Sequence, residues 1–201
     1  MNNIANILNL KIPIVLASKS PRRSHLLKSL GFDFKVVTAD IDESLDTFLP
    51  PEAYCIHLAW SKAEKVAYSI KYEALVIGAD TIVVLDDMII NKPETPEQAA
   101  QFLSLLSGNT HQVYTGITLM NSADKSWLTD YQVTNVTFRD LDTKEILSYI
   151  RSGSPMDKAG AYGIQDDFGA VFVNHIEGCY YNIVGLPLEM LYSSIKKFVN
   201  R

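Results

Sequence analysis

The stretch Ile12-Pro13-Ile14-Val15-Leu16-Ala17-Ser18-Lys19-Ser20-Pro21-Arg22-Arg23 opens the fold. Ile12–Ala17 is short, apolar and β-branched at its start, the pattern of a buried strand. Ser20 then stands where a helix N-cap accepts a backbone N–H, with Pro21 at the first helical position. Leu26, Leu27 and Leu30 give that helix an apolar face, and Gly31 closes it. The chain therefore begins as a buried strand running straight into a helix.

The same reasoning extends outward. Phe34–Thr38 reads as a second strand, followed by an acidic loop, Asp40–Asp46. Pro50-Pro51 starts a helix to about Ile70, with Tyr54, Leu58, Ala59, Ala63 and Val66 on its apolar face. Ala74–Leu85 is a long buried strand, and Asp86-Asp87 turns the chain into Met88–Ile90. Thr95-Pro96-Glu97 repeats the cap, proline and acid start, and Ser107-Gly108 ends that helix. Val113–Met120 and Trp127–Arg139 read as two strands of a hairpin or meander. Asp142-Thr143-Lys144-Glu145 is a capping box for a helix to about Arg151. Gly169–Ile176 and Tyr180–Val184 read as strands around Glu177-Gly178, and Pro187 to Val199 as a last helix. Strands and helices alternate early and strands cluster later, so the expected fold is α/β: a mixed sheet with flanking helices. Strand order does not follow from this pattern.

Composition narrows the function. The chain has 201 residues, of which 47% are hydrophobic and 20% charged, the balance of a globular protein. A formal net charge of −5 is opposite to the broad basic face that duplex nucleic acid needs, so no nucleic-acid partner is expected. No apolar run reaches the roughly 18 residues of a membrane span. Met1–Leu10 has neither a positive start nor a cleavage site, so no signal peptide is read and a cytoplasmic location is expected. Two cysteines, Cys55 and Cys179, make neither a disulfide framework nor a zinc site. His25, His57, His111 and His175 lack ligand spacing. No glycine-rich Walker loop and no Gly-x-Ser-x-Gly elbow is present.

Three places depart from structural need. Lys19, Arg22 and Arg23 crowd a helix start that favours acids; either they face solvent or an anion sits there, held by backbone N–H groups and guanidinium forks. Asp80 interrupts a nearly all-apolar strand, which is costly unless the carboxylate is paired, ligates a cation or lies at a strand end. Gly78 just before it would let a ligand approach closely, with Asp80-Thr81 at a pocket floor; the bland alternative ends the strand at Gly78. Asp157-Lys158-Ala159-Gly160-Ala161-Tyr162-Gly163-Ile164-Gln165 is glycine-rich and aperiodic, as ligand loops and tight turns both are. Lys62 on its helix and Lys92 in Asn91-Lys92-Pro93 read as ordinary solvated charges. As a set these residues suit an anionic, phosphorylated substrate with a divalent cation.

At these residues the chain resembles the Maf family of nucleoside triphosphate pyrophosphatases, over essentially its whole length. The resemblance rests on Leu16–Arg23 with Leu26-Leu27, then Gly78-Ala79-Asp80-Thr81, Lys92-Pro93, and Leu106-Ser107-Gly108 with His111–Thr115. Asp157–Gln165 and Val184-Gly185-Leu186-Pro187 follow in the expected order. It implies one domain over residues 1–201, with an inosine-triphosphatase-like α/β fold of two lobes around a central cleft. It implies cleavage of the α–β phosphoanhydride to a monophosphate and pyrophosphate, with Mg2+ or Mn2+ as cofactor, and a homodimer. The ending Asp157–Gln165 resembles the dTTP and UTP subgroup rather than the 7-methyl-GTP subgroup.

By motif position Asp80 is the expected proton acceptor, and Arg22, Thr81 and Gln165 the positions tied to substrate choice. Ser18, Arg23, Glu43, Lys62 and Lys92 fall where the family lines its cleft. In the mechanism this implies, Ser18 and the arginines hold phosphate oxygens, Lys62 and Lys92 neutralise the leaving pyrophosphate, and Glu43 and Asp80 hold the cation. After Ile164-Gln165 the family usually continues with glycines; this chain has Asp166-Asp167. The competing readings are a purine or 7-methyl-GTP pyrophosphatase and a nucleotide-binding regulator of cell division.

Overall fold

The computed structural model describes residues 4–41, 49–165 and 168–200. Glu43, with Asp42 and Asp46 of the acidic loop, and Asp166-Asp167 lie outside the described residues. The chain divides into two compact units. One comprises Met1–Asp80, Thr115–Gln132 and Gly185–Arg201; the other comprises Thr81–Tyr114 and Val133–Val184.

In the first unit, β1 (Ile14–Ala17) pairs in parallel with β2 (Phe34–Val36) and with β3 (Leu75–Leu85). All four residues of β1 are buried, the burial its unbroken apolar run requires. β1 leads into α2 (Pro21–Ser29), and the Ser20 hydroxyl accepts the Arg23 N–H at 3.4 Å, confirming the N-cap. α3 (Pro51–Ser69) lays Cys55, Leu58, Ala59, Lys62, Ala63, Val66 and Ala67 inward at helical spacing. Val15, Ala17, Val76, Ala63, Val66, Ala67, Ala74 and Met120 form a core between strands and helix. A short α1 (Ile4–Ile7) and the closing α7 (Leu188–Val199) complete the unit.

β3 enters the second unit at Thr81 and turns back through Asp86-Asp87 into antiparallel β4 (Met88–Ile90). Both turn residues have positive φ, 47° and 65°, the backbone a tight hairpin needs. α4 (Pro96–Leu106) is capped by Thr95, and α5 (Thr143–Arg151) by the full capping box of Asp142 and Glu145. β5 (Thr110–Asn121) and β6 (Trp127–Phe138) continue the sheet, and β7 (Val173–Glu177) pairs antiparallel with β6. The strand order is β2-β1-β3-β5-β6-β7, with β4 on β3: a mixed sheet, as expected.

Two readings of the late chain are corrected. Gly169–Ile176 is not one strand: Gly169–Phe172 forms a 3-10 turn, and the strand begins at Val173. The turn buries Phe172, whose ring packs edge-on against Tyr149 at 5.1 Å and near Phe138 at 6.0 Å. Tyr180–Val184 is a helical turn, α6, rather than a strand. It swings fully buried Asn182 inward, where Nδ2 donates to the Val113 carbonyl and the Thr134 hydroxyl, both at 2.9 Å. Backbone satisfaction there outweighs the β-propensity of Tyr180-Tyr181-Asn182-Ile183-Val184.

The aromatic core of the second unit holds His111, 1% exposed, edge-on to Phe138 and Tyr162 at 5.1 and 5.4 Å. Burial drives its pKa from 6.5 down to about 4. Between those values the unfolded chain binds a proton that the folded protein refuses, so stability rises with pH there. It is fully present above pH 6.5 and lost as pH falls toward 4, by up to about 3 kcal/mol. We expect the urea midpoint to fall between pH 7.5 and 5, and His111→Gln to lose most of that slope. An unchanged slope in the variant contradicts this assignment.

Candidate active site

In the first unit the site grows from the end of β1 and the middle of its parallel neighbour β3. Ala17 of β1 is level with Gly78 of β3. Ser18 and Asp80 lie one and two residues beyond that pair, Ser18 just past the end of β1 and Asp80 within β3. Ser18 is 5% exposed; its hydroxyl accepts the Ser20 N–H at 3.1 Å and an Arg23 Nη1 donor at 3.4 Å. Arg23 Nε donates to the Gly185 carbonyl at 2.8 Å. The guanidinium thus braces the first turn of α2 against the loop before α7 and orients the Ser18 hydroxyl. Arg22, beside it, is half-buried. These residues surround a helix N-terminus whose backbone and charges suit a phosphate.

Asp80 is buried within an uninterrupted β3, so the strand does not stop at Gly78. Lys62 donates to Asp80 Oδ1 at 2.5 Å, and each side chain is 10% exposed. Lys62 is therefore no solvated helix charge; this corrects the sequence reading. A buried carboxylate needs a partner, and α3 delivers one from the residue level with its apolar face.

Glycines explain the reach. A Cβ on Gly78 would lie 2.2 Å from the Ala59 carbonyl oxygen and 2.9 Å from Ala63. A Cβ on Gly116 would lie 2.6 Å from the Cys55 carbonyl group. The close approach that Gly78 permits is that of α3, not of a ligand. The helix backbone rests directly on the sheet, and Lys62 meets Asp80 as a result. Cys55 lies in the same seam; burial first, and then the charge of Asp80, push its thiol up to about 12. It stays a thiol at neutral pH and is no nucleophile.

The other expected residues belong to the second unit. Thr81, half-buried, is its first residue. Lys92 is exposed, just ahead of buried Pro93. The carbonyl of its neighbour Asn91 accepts the Gly160 N–H at 3.3 Å, tying the Lys92 segment to the Asp157–Gln165 loop. Gly160 has φ +69°, and a Cβ there would lie 2.9 Å from Val83. Buried Lys158 spends its donors locally, on the Ser154 carbonyl at 2.5 Å, the Ser154 hydroxyl at 3.2 Å and Asp157 at 2.7 Å. The loop is clamped by two phenols: Tyr162 Oη meets His111 Nε2 at 2.8 Å, and Tyr149 Oη accepts the Gly163 N–H at 3.2 Å. Gln165, half-buried, follows this clamp.

The structure thus joins Ser18, Arg23, Lys62 and Asp80 in one unit and the Thr81, Lys92 and Gln165 segments in the other. Sequence reasoning missed His111, Tyr149, Tyr162 and Lys158 as the loop's supports. A signal existed for His111: in strand alternation it shares the inward face with Val113 and Thr115.

Among the described residues no three His, Cys, Asp or Glu side chains gather into a ready cage for a divalent cation. Mg2+ is commonly held by one or two carboxylates together with substrate phosphates. The Asp80 carboxylate, in the same unit as the phosphate-suited start of α2, has the chemistry of such an oxygen ligand, so the residues fit a cation that would share its ligands with the substrate.

The family description "Maf-like protein" matches residues 13–198. A dTTP/UTP pyrophosphatase of Clostridium perfringens (strain SM101 / Type A) is 45% identical over 186 residues, 92% of this chain and 96% of the relative. One of Acetivibrio thermocellus is 47% identical over 193 residues, 93% and 96% of the two chains. Among solved structures, a HAM1 protein from Coxiella burnetii superposes with a TM-score of 0.51 at 18% identity, over 92% of this chain and 99% of that one. That likeness concerns the fold. The sequence match, unbroken from the first strand to the last helix, places the chain in the Maf family.

Proposed function

We propose that residues 1–201 work as one nucleoside triphosphate pyrophosphatase domain. It hydrolyses dTTP and UTP at the α–β phosphoanhydride to the nucleoside monophosphate and pyrophosphate. The observation that carries this reading is the buried Lys62–Asp80 pair, with Asp80 on β3 two residues beyond the level at which β1 ends and Ser18 follows. The names of the relatives quoted above point to the same substrates.

The roles follow from the chemistry of each group. Ser18 and the first turn of α2 bind phosphate oxygens, with Arg22 and Arg23 adding charge and Arg23 fixing the Ser18 hydroxyl. Asp80 accepts the proton of the water that attacks the α-phosphorus. Lys62 and Lys92 neutralise charge on the departing pyrophosphate. Asp80 and Glu43 are the residues that would hold Mg2+ or Mn2+, which would supply charge neutralisation and Lewis acidity. Gln165 reads the base: its amide offers one donor and one acceptor face to the N–H and C=O edge of uracil or thymine. Thr81, next to Asp80, completes the substrate contacts. Cytosine presents a different pattern, so the clamp that fixes the Gln165 loop also fixes the choice.

The acidic balance of the chain supports a small-molecule substrate over nucleic acid. No helix among the described residues is long and apolar enough to cross a membrane. We further propose a cytoplasmic homodimer. The exposed Tyr180–Tyr181 pair, its rings 5.6 Å apart, is the kind of surface a partner copy covers. The test of the activity is pyrophosphate release from dTTP and UTP ahead of CTP, ATP, GTP, ITP and 7-methyl-GTP.

A further inference from the structure

The ion pair that supports the proposed chemistry also obstructs it. A carboxylate that holds an ammonium at 2.5 Å has its charge already met. A divalent cation arriving there alone would face the Lys62 charge at close range, in a site where water screens little because both side chains are 10% exposed. Lys62 cannot retreat with its helix. α3 is seated on the sheet at Gly78 and Gly116, where its backbone leaves no room for a methyl group. The ammonium can leave Asp80 only by rotation of its own side chain toward another acceptor. Ser18 and the start of α2, which follow β1 from its pairing with β3 at Gly78, mark where phosphate oxygens would offer one.

We propose that Lys62 is a resident counter-cation of Asp80, and that a divalent cation reaches Asp80 only when an incoming triphosphate draws Lys62 away. Binding of cation and nucleotide is then coupled, and the protein without nucleotide binds the cation weakly. This inference rests on the reading of Asp80 as a cation ligand. Lys62 acts twice, as a gate on the carboxylate before substrate binds and as a phosphate partner afterwards.

The experiment counts free Mn2+ by electron paramagnetic resonance while the purified protein is titrated. The nucleotide is a UTP analogue with a methylene bridge between the α and β phosphorus atoms. Wild type alone is expected to bind Mn2+ weakly. Wild type with the analogue binds it more tightly than the analogue does by itself, and Asp80→Asn removes that gain. Lys62→Met without nucleotide binds Mn2+ at least about tenfold more tightly than wild type, a gain lost when Asp80→Asn is added. Wild type alone that binds Mn2+ through Asp80 as tightly as with the analogue overturns the inference. So does a Lys62→Met protein no tighter than wild type while the Asp80 dependence with nucleotide persists. Equal Mn2+ binding by wild type and Asp80→Asn in the presence of the analogue instead removes the cation role of Asp80. Should Lys62→Met fail to fold, Lys62→Gln, which keeps a hydrogen-bond donor for Asp80 without the charge, takes its place with the same expected gain and the same overturning result.

Discussion

Asp80→Asn is expected to lower kcat for UTP by about 10²–10⁴-fold, the span a positioned general base contributes. The amide keeps the shape of the carboxylate and still accepts a hydrogen bond from Lys62, whose ammonium donates to Asp80 Oδ1 in the parent. It accepts no proton from water and carries no charge for a cation. Removing one member of a buried ion pair outright costs about 3–5 kcal/mol. The retained acceptor reduces that cost, so the variant should fold, and its circular dichroism and thermal melt show whether it does. A folded Asp80→Asn protein with near-parental kcat at saturating Mn2+ contradicts the role given to Asp80.

The second large effect is structural and concerns the seam beneath the site. Gly78→Ala places a methyl group 2.2 Å from a main-chain oxygen of α3, an atom that cannot rotate aside. Overpacking of well-filled cores typically costs about 1–3 kcal/mol, and a backbone clash belongs at or above the upper end. We expect a loss of about 3 kcal/mol or more. Activity should fall further than the folded fraction, because a displaced α3 carries Lys62 away from Asp80. Gly153→Ala is the control: it has φ +75° but nothing within 4 Å of an added Cβ. It should cost only about 1 kcal/mol, the usual penalty of a left-handed backbone with a side chain. Equal stability of the two variants in urea titrations contradicts the seam.

Much of the fold was legible because local chemistry and tertiary need agree. Ser20-Pro21, Thr95-Pro96 and Asp142–Glu145 cap helices as their residue types dictate. The largely apolar runs at Ile14–Ala17 and Leu75–Leu85 are strands buried along their length but for half-buried Thr81. The late chain misled because Tyr180–Val184 has strand-forming residues, yet the partners of Asn182 lie on β5 and β6, far away in sequence. Periodicity does not see such long-range hydrogen bonds.

The candidate site divides in the same way. An acid in an apolar strand pointed to Asp80 from charge cost alone. Lys62 looked ordinary because a lysine beside an apolar helix face is normally solvated; only the register of α3 on Gly78 and Gly116 brings it to Asp80. Gly78 was read correctly as a place of close approach and wrongly as to what approaches. The supports of the Gln165 loop were hidden for another reason. His111, Tyr149 and Tyr162 meet from three separate stretches, and no spacing rule links them.

The central claim is that this chain cleaves pyrimidine triphosphates at the α-phosphorus. The most direct test incubates dTTP, UTP, CTP, ATP, GTP, ITP and 7-methyl-GTP in 18O-labelled water with Mg2+ or Mn2+, measuring the rate of pyrophosphate release and the position of the label. Preferential turnover of dTTP and UTP is expected, with unlabelled pyrophosphate and one 18O in the nucleoside monophosphate. Preferential turnover of a purine, label in the released phosphate, or no turnover by the folded protein would contradict it.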